Sequence, residues 1–265
     1  MKTSLIITTY NSPDRLELVL LTVLAQTEMP DEVLVADDGS GPETAALIRR
    51  MAVKCPVPLI HVWHEDCGFR VGTIRNKAIK RASGDYIIQI DGDMMLHPDF
   101  VADHKSAAKP GHFIIGSRVS LKKEFTEEVI SRKLTLFPIL KYWSGMRHAA
   151  NRLRLPIVPL FFSNLRSQDI TYARSSNMAV WKSDLLKVNG YNEDINGWGR
   201  EDSELSCRLY FAGVKKGYLK FKAVQYHLSH PTNGRSYLDR NTEIMNRTIA
   251  ARSVWTPNGI TKQAK

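Results

Sequence analysis

Asp91-Gly92-Asp93 sets two carboxylates one residue apart, directly after the apolar run Tyr86 to Ile90. With glycine between them, such carboxylates can converge on one divalent cation and leave room for a diphosphate. Oxygen ligands suit Mg²⁺ or Mn²⁺, and the cation would offset the charge of a departing nucleotide diphosphate. A D-x-D string by itself is more often a turn, so its position at a strand end carries more weight than its letters. His227 and His230 follow another apolar run at i, i+3 spacing, where two imidazoles could complete the metal site.

Two further clusters carry chemistry. Asp37-Asp38-Gly39-Ser40 is rich in turn formers, yet a carboxylate there could accept the ring N–H of a nucleobase while Tyr10 stacks nearby. Asn11 belongs to the same polar strand end, and Arg70 offers a planar guanidinium to a diphosphate. Gly197-Trp198-Gly199-Arg200-Glu201-Asp202 opens an amphipathic segment. Acids at a helix start are partly explained by capping and the macrodipole. An indole between two glycines is not; it reads as a platform for a sugar, with one of the acids as general base toward an acceptor hydroxyl.

These residues need a frame that brings them together. The pattern predicts strands at Leu5 to Thr8, Glu32 to Ala36, Leu59 to His64, Tyr86 to Ile90 and Phe113 to Ser117. Helices fall between them, the first beginning with Ser12 as N-cap and Pro13 at its first position. Alternating strands and helices imply an α/β fold, a mostly parallel central sheet with helices on both faces. Ligands of such sheets bind beyond the carboxyl ends of the strands, where Tyr10-Asn11, Asp37-Asp38 and Asp91-Asp93 all lie. Order returns with a strand at Asn177 to Trp181, helices at Lys182 to Val188 and Glu201 to Ala212, and a strand at Phe221 to His227. The chain divides into 1–117, a loose basic segment 118–174, a second half 175–240 and a polar tail 241–265 with no assignable element.

Taken together, SLIITTYN, VLVADDGS, DGD after a strand and GWGREDSEL resemble family 2 glycosyltransferases of the GT-A (nucleotide-diphospho-sugar transferase) fold. The segment from about Ser176 to Pro231 is similar to the C-terminal region of β-1,4-galactosyltransferases, which also occurs in bacterial capsule and lipopolysaccharide enzymes. The resemblance implies that Thr8, Tyr10 and Asp38, with Asn11 beside them, hold uridine, and that Arg70 lies near the phosphates. It implies that Asp91 faces ribose and donor sugar, that Asp93 and His230 bind Mn²⁺ or Mg²⁺, and that Asp202 is the catalytic base. Glu201 and Trp198 would position the acceptor, and His227 stands where the galactosyltransferases have a methionine ligand. The implied activity is an inverting, metal-dependent transfer from a UDP-sugar to a glycan or lipid-linked oligosaccharide in bacterial surface polysaccharide synthesis. A sugar-1-phosphate nucleotidyltransferase shares the layout but needs a Gly-rich basic loop where this chain has TTYNSPDR. A non-catalytic nucleotide-sugar or glycan-binding protein would have no use for Asp202.

The net charge of +10 is concentrated. From Val129 to Gln168 there is no acid, but there are Arg132, Lys133, Lys141, Arg147, Arg152, Arg154 and Arg166, interleaved with Phe137, Tyr142, Trp143, Phe161 and Phe162. Such a mixture suits an anionic membrane surface or a phosphate-bearing acceptor as well as an ordinary solvated face; no motif points to nucleic acid. Three scattered cysteines without a CxxC pair fit a reducing compartment. No apolar run is long enough for a signal peptide or a membrane span. The expected location is therefore the cytoplasm, with peripheral attachment to the inner face of the cytoplasmic membrane.

Overall fold

A computed structural model of the chain describes residues 1–134, 143–155, 169–231 and 234–262. The basic-segment residues Phe137, Lys141, Tyr142, Phe161, Phe162 and Arg166 lie outside the described residues, as does the side chain of Trp143.

The N-terminal half alternates as its pattern predicts: β1 (Thr3–Thr9), α1 (Pro13–Leu24), β2 (Glu32–Asp37), α2 (Pro42–Ala52), β3 (Leu59–Trp63), α3 (Val71–Arg81) and β4 (Tyr86–Asp91). Three shorter elements follow, β5 (Met94–Leu96), α4 (Phe100–Ala107) and β6 (His112–Gly116). Every residue of β1 and β2 is buried, as expected of central strands covered on both faces. Leu5 and Ile7 pack with α1 and α2 through Leu16, Val19, Leu47 and Ile48. Ile6 points the other way, onto Ile74, Ala78 and Ile79 of α3. Alternation along one strand thus feeds two cores, each full burial of a Leu or Ile contributing about 1.5–3 kcal/mol.

The second half supplies β7 (Val119–Leu121), α5 (Lys123–Ser131), β8 (Met146–Arg147), β9 (Asn177–Trp181), α6 (Lys182–Lys187), α7 (Glu201–Phe211), β10 (Lys215–Leu219), β11 (Gln225–His227) and α8 (Leu238–Ala250). The main sheet has the order β10-β6-β9-β4-β1-β2-β3. All its pairings are parallel except those of β9, which runs antiparallel between β4 and β6. Reversal brings the residues just before β9 to the same sheet edge at which β1, β2 and β4 end. A second sheet, β5-β11-β7-β8, sits beside it.

Four local readings need correction. Ser12 precedes α1 but its side chain makes no capping bond, and Pro13 alone marks the start. The strand expected over Phe221 to His227 is only Gln225–His227, because Phe221 and Ala223 have φ of 62° and 46°, outside the extended region. The polar tail holds α8, and β5 and β10 were not foreseen. The basic stretch is also less free than its composition implies. Arg132 pairs with Glu128, Lys133 with Glu17, and Arg154 with Asp99 and buried Asp103; Arg147 is exposed.

Candidate functional site

Arg75 organises the edge of the sheet. It lies on the buried face of α3, its side chain 5% exposed. Its Nε donates to Thr8 Oγ1 (3.2 Å), and its two terminal nitrogens donate to Asp91 Oδ1 (3.0 Å) and Asp202 Oδ1 (3.3 Å). Glu201 Oε1 is 3.8 Å away, and the guanidinium stacks over Tyr191 at 5.4 Å. One cation therefore faces three carboxylates drawn from β4 and the start of α7. Sequence reading missed Arg75. The signal was a charge at an apolar spacing, among Val71, Ile74, Ala78 and Ile79, all buried.

Asp202 does not cap its own helix. Oδ2 accepts the Ser175 N–H (2.9 Å), and Oδ1 accepts the Ser175 hydroxyl together with Arg75. Ser175 stands just before β9, so the antiparallel strand is what delivers it. Beside Asp202, burial and then the Asp202 charge lift the Glu201 carboxyl to about 7, with Arg75 opposing. Its Oε2 is buried and has no hydrogen-bond partner among the described residues. Burial likewise lifts Asp91 to about 6, against Arg75 and with the help of Asp93 and Asp202.

Asp93, His227 and His230 converge, one ligand atom from each lying within 4.8 Å of the others. The second sheet makes this possible: β11 pairs with β5, setting His227 against Met94, and Leu228 N–H donates to the Asp93 carbonyl. Asp93 Oδ2 lies 3.3 Å from His227 Nε2 and 2.9 Å from His230 Nε2. Burial opposes ionisation of Asp93, but the two imidazoles outweigh it and hold its carboxyl well below the usual range. Asp93 Oδ1 is buried and has no hydrogen-bond partner among the described residues.

The His230 geometry tests the fit to a cation. Nδ1 lies 2.6 Å from the Pro231 carbonyl oxygen, which can only accept, so Nδ1 carries the proton. In the neutral ring the Nε2 lone pair then faces a carboxylate oxygen, which requires positive charge between them. The Asp93 interaction accordingly raises the His230 pKa. One carboxylate with two imidazoles and an orphaned oxygen fits a divalent transition metal, Mn²⁺ better than Mg²⁺.

At the other end of the edge, Asp38 is buried, with Oδ1 held by His64 Nε2 (2.7 Å) and Oδ2 by the Arg70 N–H (2.9 Å). Burial pushes its carboxyl up, against those two bonds. Tyr10, 47% exposed, donates from its hydroxyl to Asp66. Gly39 has φ +101°, and a Cβ there would lie 2.6 Å from Asp66 Cα, so the 64–70 loop closes tightly on the Asp38 turn. Asn11 accepts from Gly41 N–H and ties the first two strand ends together. Arg70 turns its guanidinium to the Glu65 carbonyl.

Trp198 is 40% exposed, with the Arg235 guanidinium 5.7 Å from its ring. The loop that carries it is held from behind by α8. Asn241, fully buried, donates to the carbonyls of Asn196 and Gly199, and Arg200 donates to Thr242. A Cβ on Gly197, at φ +69°, would overlap the Tyr237 ring.

Comparison with known proteins adds the following. The family model described as glycosyl transferase family 2 matches residues 4–167, and one described as the N-terminal domain of galactosyltransferase matches residues 164–231. Validoxylamine A glucosyltransferase of Streptomyces hygroscopicus subsp. limoneus is 29% identical over 234 residues, covering 80% of this chain and 48% of that protein. The chain thus spans less than half the length of that relative. The structure of S. aureus TarS 1-349 in complex with UDP-GlcNAc superposes with a TM-score of 0.65 at 20% identity, over 95% of this chain and 66% of that one. Mannosyltransferase PcManGT from Pyrobaculum calidifontis, in complex with GDP-Man and Mn²⁺, gives a TM-score of 0.57 at 20% identity, over 95% and 62%. At such identities the likeness carries the fold, the α/β GT-A arrangement.

Proposed function

The chain belongs to glycosyl transferase family 2, and from that premise we propose that it transfers a sugar from a UDP-sugar to a glycan hydroxyl by metal-assisted, inverting displacement. The observation that carries this reading is the single sheet edge shared by Asp38, the Asp93–His227–His230 cluster and the Arg75-centred acids.

Uridine would sit against Tyr10, with its ring N–H toward Asp38, whose two bonded oxygens each keep a second lone pair. Thr8 and Asn11 shape that end, and Arg70, whose backbone N–H is bonded to Asp38, would turn its guanidinium from the Glu65 carbonyl toward the phosphates. The UDP-GlcNAc complex of the TarS neighbour supports uridine as the nucleoside. Asp91 would meet the ribose and the sugar. Asp93, His230 and His227 would hold Mn²⁺ or Mg²⁺, an assignment supported by the Mn²⁺ complex of the mannosyltransferase neighbour. When bound, the ion would offset the charge of the departing diphosphate.

Asp202 would act as base. Ser175 and Arg75 fix its orientation, and among the described residues Oδ2 accepts only the Ser175 N–H, leaving a lone pair for the incoming hydroxyl. The hydroxyl oxygen attacks the anomeric carbon, its proton passes to Asp202, and the bond from that carbon to the phosphate oxygen breaks to release UDP. Trp198 would face the acceptor ring, and Glu201 would accept from a neighbouring acceptor hydroxyl through its unpartnered Oε2. That oxygen, with a carboxyl pKa of about 7, favours one second reading in which Glu201 is the base.

The test is UDP release from UDP-sugars with Mn²⁺ and candidate acceptors, comparing wild type, Asp202→Asn and Glu201→Gln. A loss of roughly 10²-fold in kcat for Asp202→Asn alone supports the first reading. The reverse pattern moves the base to Glu201, and no acceptor-dependent UDP release from any donor overturns transfer altogether. As the setting we propose bacterial surface polysaccharide synthesis at the cytoplasmic face of an anionic membrane, resting on the basic 129–168 stretch.

A further inference from the structure

Arg118 and Arg174 take no part in the reading above, yet Arg118 feels two of its acids and Arg174 adjoins the Ser175 that holds a third. The antiparallel register of β6 and β9 pairs Ile114 with Ala179 and Ile115 with Met178. It leads toward Ser117-Arg118 on one strand and Arg174-Ser175 on the other. Asn177, 1% exposed, locks the two segments together. Its side-chain amide donates to the Ser117 carbonyl (2.9 Å), and its own N–H donates to the Arg174 carbonyl (3.1 Å). The Arg118 carbonyl is held in turn by the Asn151 side chain (3.0 Å). Both backbones are therefore pinned, and neither guanidinium makes an ion pair among the described residues.

Their surroundings define what could arrive. Arg118 is half-buried, and the charges of Arg174, Asp93 and Asp91 all act on it. Burial, then the like charge of Arg174, lower its pKa. Arg174 is exposed and stacks over Tyr172 at 5.6 Å, one residue from the Ser175 that holds Asp202. Burial and the like charge of Arg174 oppose the Arg118 charge, Asp93 and Asp91 offset them only in part, and a further anion joining both guanidiniums would be stabilised. The donor's diphosphate already has the Asp93 cluster and Arg70 to meet it. Arg174 instead directly precedes Ser175, whose N–H and hydroxyl hold Asp202, the base of the proposed transfer.

We infer that Arg118 and Arg174 bind an acidic group, a carboxylate or a phosphate monoester, carried by the transferred sugar or by the acceptor next to the point of transfer. Planar guanidiniums suit both groups through paired N–H donors. The inference rests on the UDP-sugar reading and narrows it to acidic substrates.

Titration calorimetry on the full chain with Mn²⁺ tests this in three comparisons. UDP-glucuronate is set against UDP-glucose. With UDP present, a glucuronate-ended disaccharide is set against its glucose-ended counterpart, and glucose 6-phosphate against glucose. The expected result is a preference of about tenfold or more for the acidic member in at least one comparison, equal to about 1.4 kcal/mol. Which comparison shows it identifies the donor or the acceptor as the source. Arg118→Gln/Arg174→Gln should abolish the preference while keeping UDP affinity and melting temperature, and Arg118→Lys/Arg174→Lys should retain part of it. Absence of preference in all three comparisons, or a preference that survives the Gln pair, overturns the inference. So does a loss of UDP affinity in the Gln pair, which would assign the arginines to the diphosphate. Failure of the wild type to bind UDP with Mn²⁺ would instead bring down the transferase reading on which the inference depends.

Discussion

Replacing Arg75 by Met removes the cation that Asp91, Glu201 and Asp202 share and leaves the stem of the side chain in place. Unit charges about 4 Å apart attract by about 4 kcal/mol at an effective dielectric of 20. Glu201 lies 3.8 Å from the guanidinium and its side chain is 12% exposed, so a substantial part of that attraction acts on it. Water entering the vacated site screens the remainder. At 1.36 kcal/mol per pKa unit, the Glu201 carboxyl should rise by roughly one to two units. It starts at about 7. Near pH 7 its ionised fraction would then fall from about half to between about one in ten and one in a hundred. Glu201 accepts hydrogen bonds more strongly when ionised, so transfer weakens as pH falls through its pKa. The wild-type rate should therefore decline below about pH 7. The Arg75→Met rate should decline about one to two units higher and recover only above about pH 9. Because the folded state holds this proton up to about pH 7, against about 4.3 unfolded, Glu201 also costs stability as pH rises across that window. The variant extends the loss upward. The assay is a pH–rate profile at saturating UDP-sugar, with melting curves at each pH. A loss of activity that is the same at every pH, in a variant that melts normally, would refute the electrostatic role.

Other substitutions probe other parts of the edge. His227→Ala and His230→Ala should weaken Mn²⁺ activation more than Mg²⁺ activation, since imidazole favours the transition metal; equal effects on both ions would make the pair structural. Asn241→Ala removes two buried donors to the Trp198 loop, worth about 1 kcal/mol each. It should raise the acceptor KM several-fold with UDP affinity unchanged, and an unchanged acceptor KM would detach α8 from the site. Arg147→Ser should weaken binding to anionic vesicles by about fivefold, from about 1 kcal/mol per surface cation. A wild type that ignores such vesicles at low salt would remove the membrane from the account.

What the sequence revealed and what it hid follow from how local each signal was. The strand ends carrying Asp38, Asp91 and Asp93 were legible because β1, β2 and β4 are short apolar runs broken by turn formers. The contact of Asp202 with Ser175 was not, because it needs β9 to run against its neighbours, and direction is invisible in an apolar run. Arg75 was hidden because a charge among Val71, Ile74, Ala78 and Ile79 reads as an interruption of the helix face rather than its centre. In α8 the buried positions are Asn241, Met245 and Thr248, so the helical spacing is present but written mostly in polar residues. The basic stretch looked unopposed because the acids that pair with it, Glu17, Asp99, Asp103 and Glu128, all lie before it in the chain. β10 begins with two lysines at the sheet edge, which masks a strand.

The central claim is a donor site in which UDP is anchored through a cation on Asp93. Titration of UDP by calorimetry, with and without Mn²⁺, in wild type and Asp93→Ala, addresses it without an acceptor or a chosen sugar. The account predicts that Mn²⁺ tightens UDP binding to the wild type by at least about tenfold, or about 1.4 kcal/mol. The gain should vanish in Asp93→Ala, while metal-free binding through Tyr10 and Asp38 stays the same. An equal Mn²⁺ gain in both proteins, or none in the wild type, would contradict it.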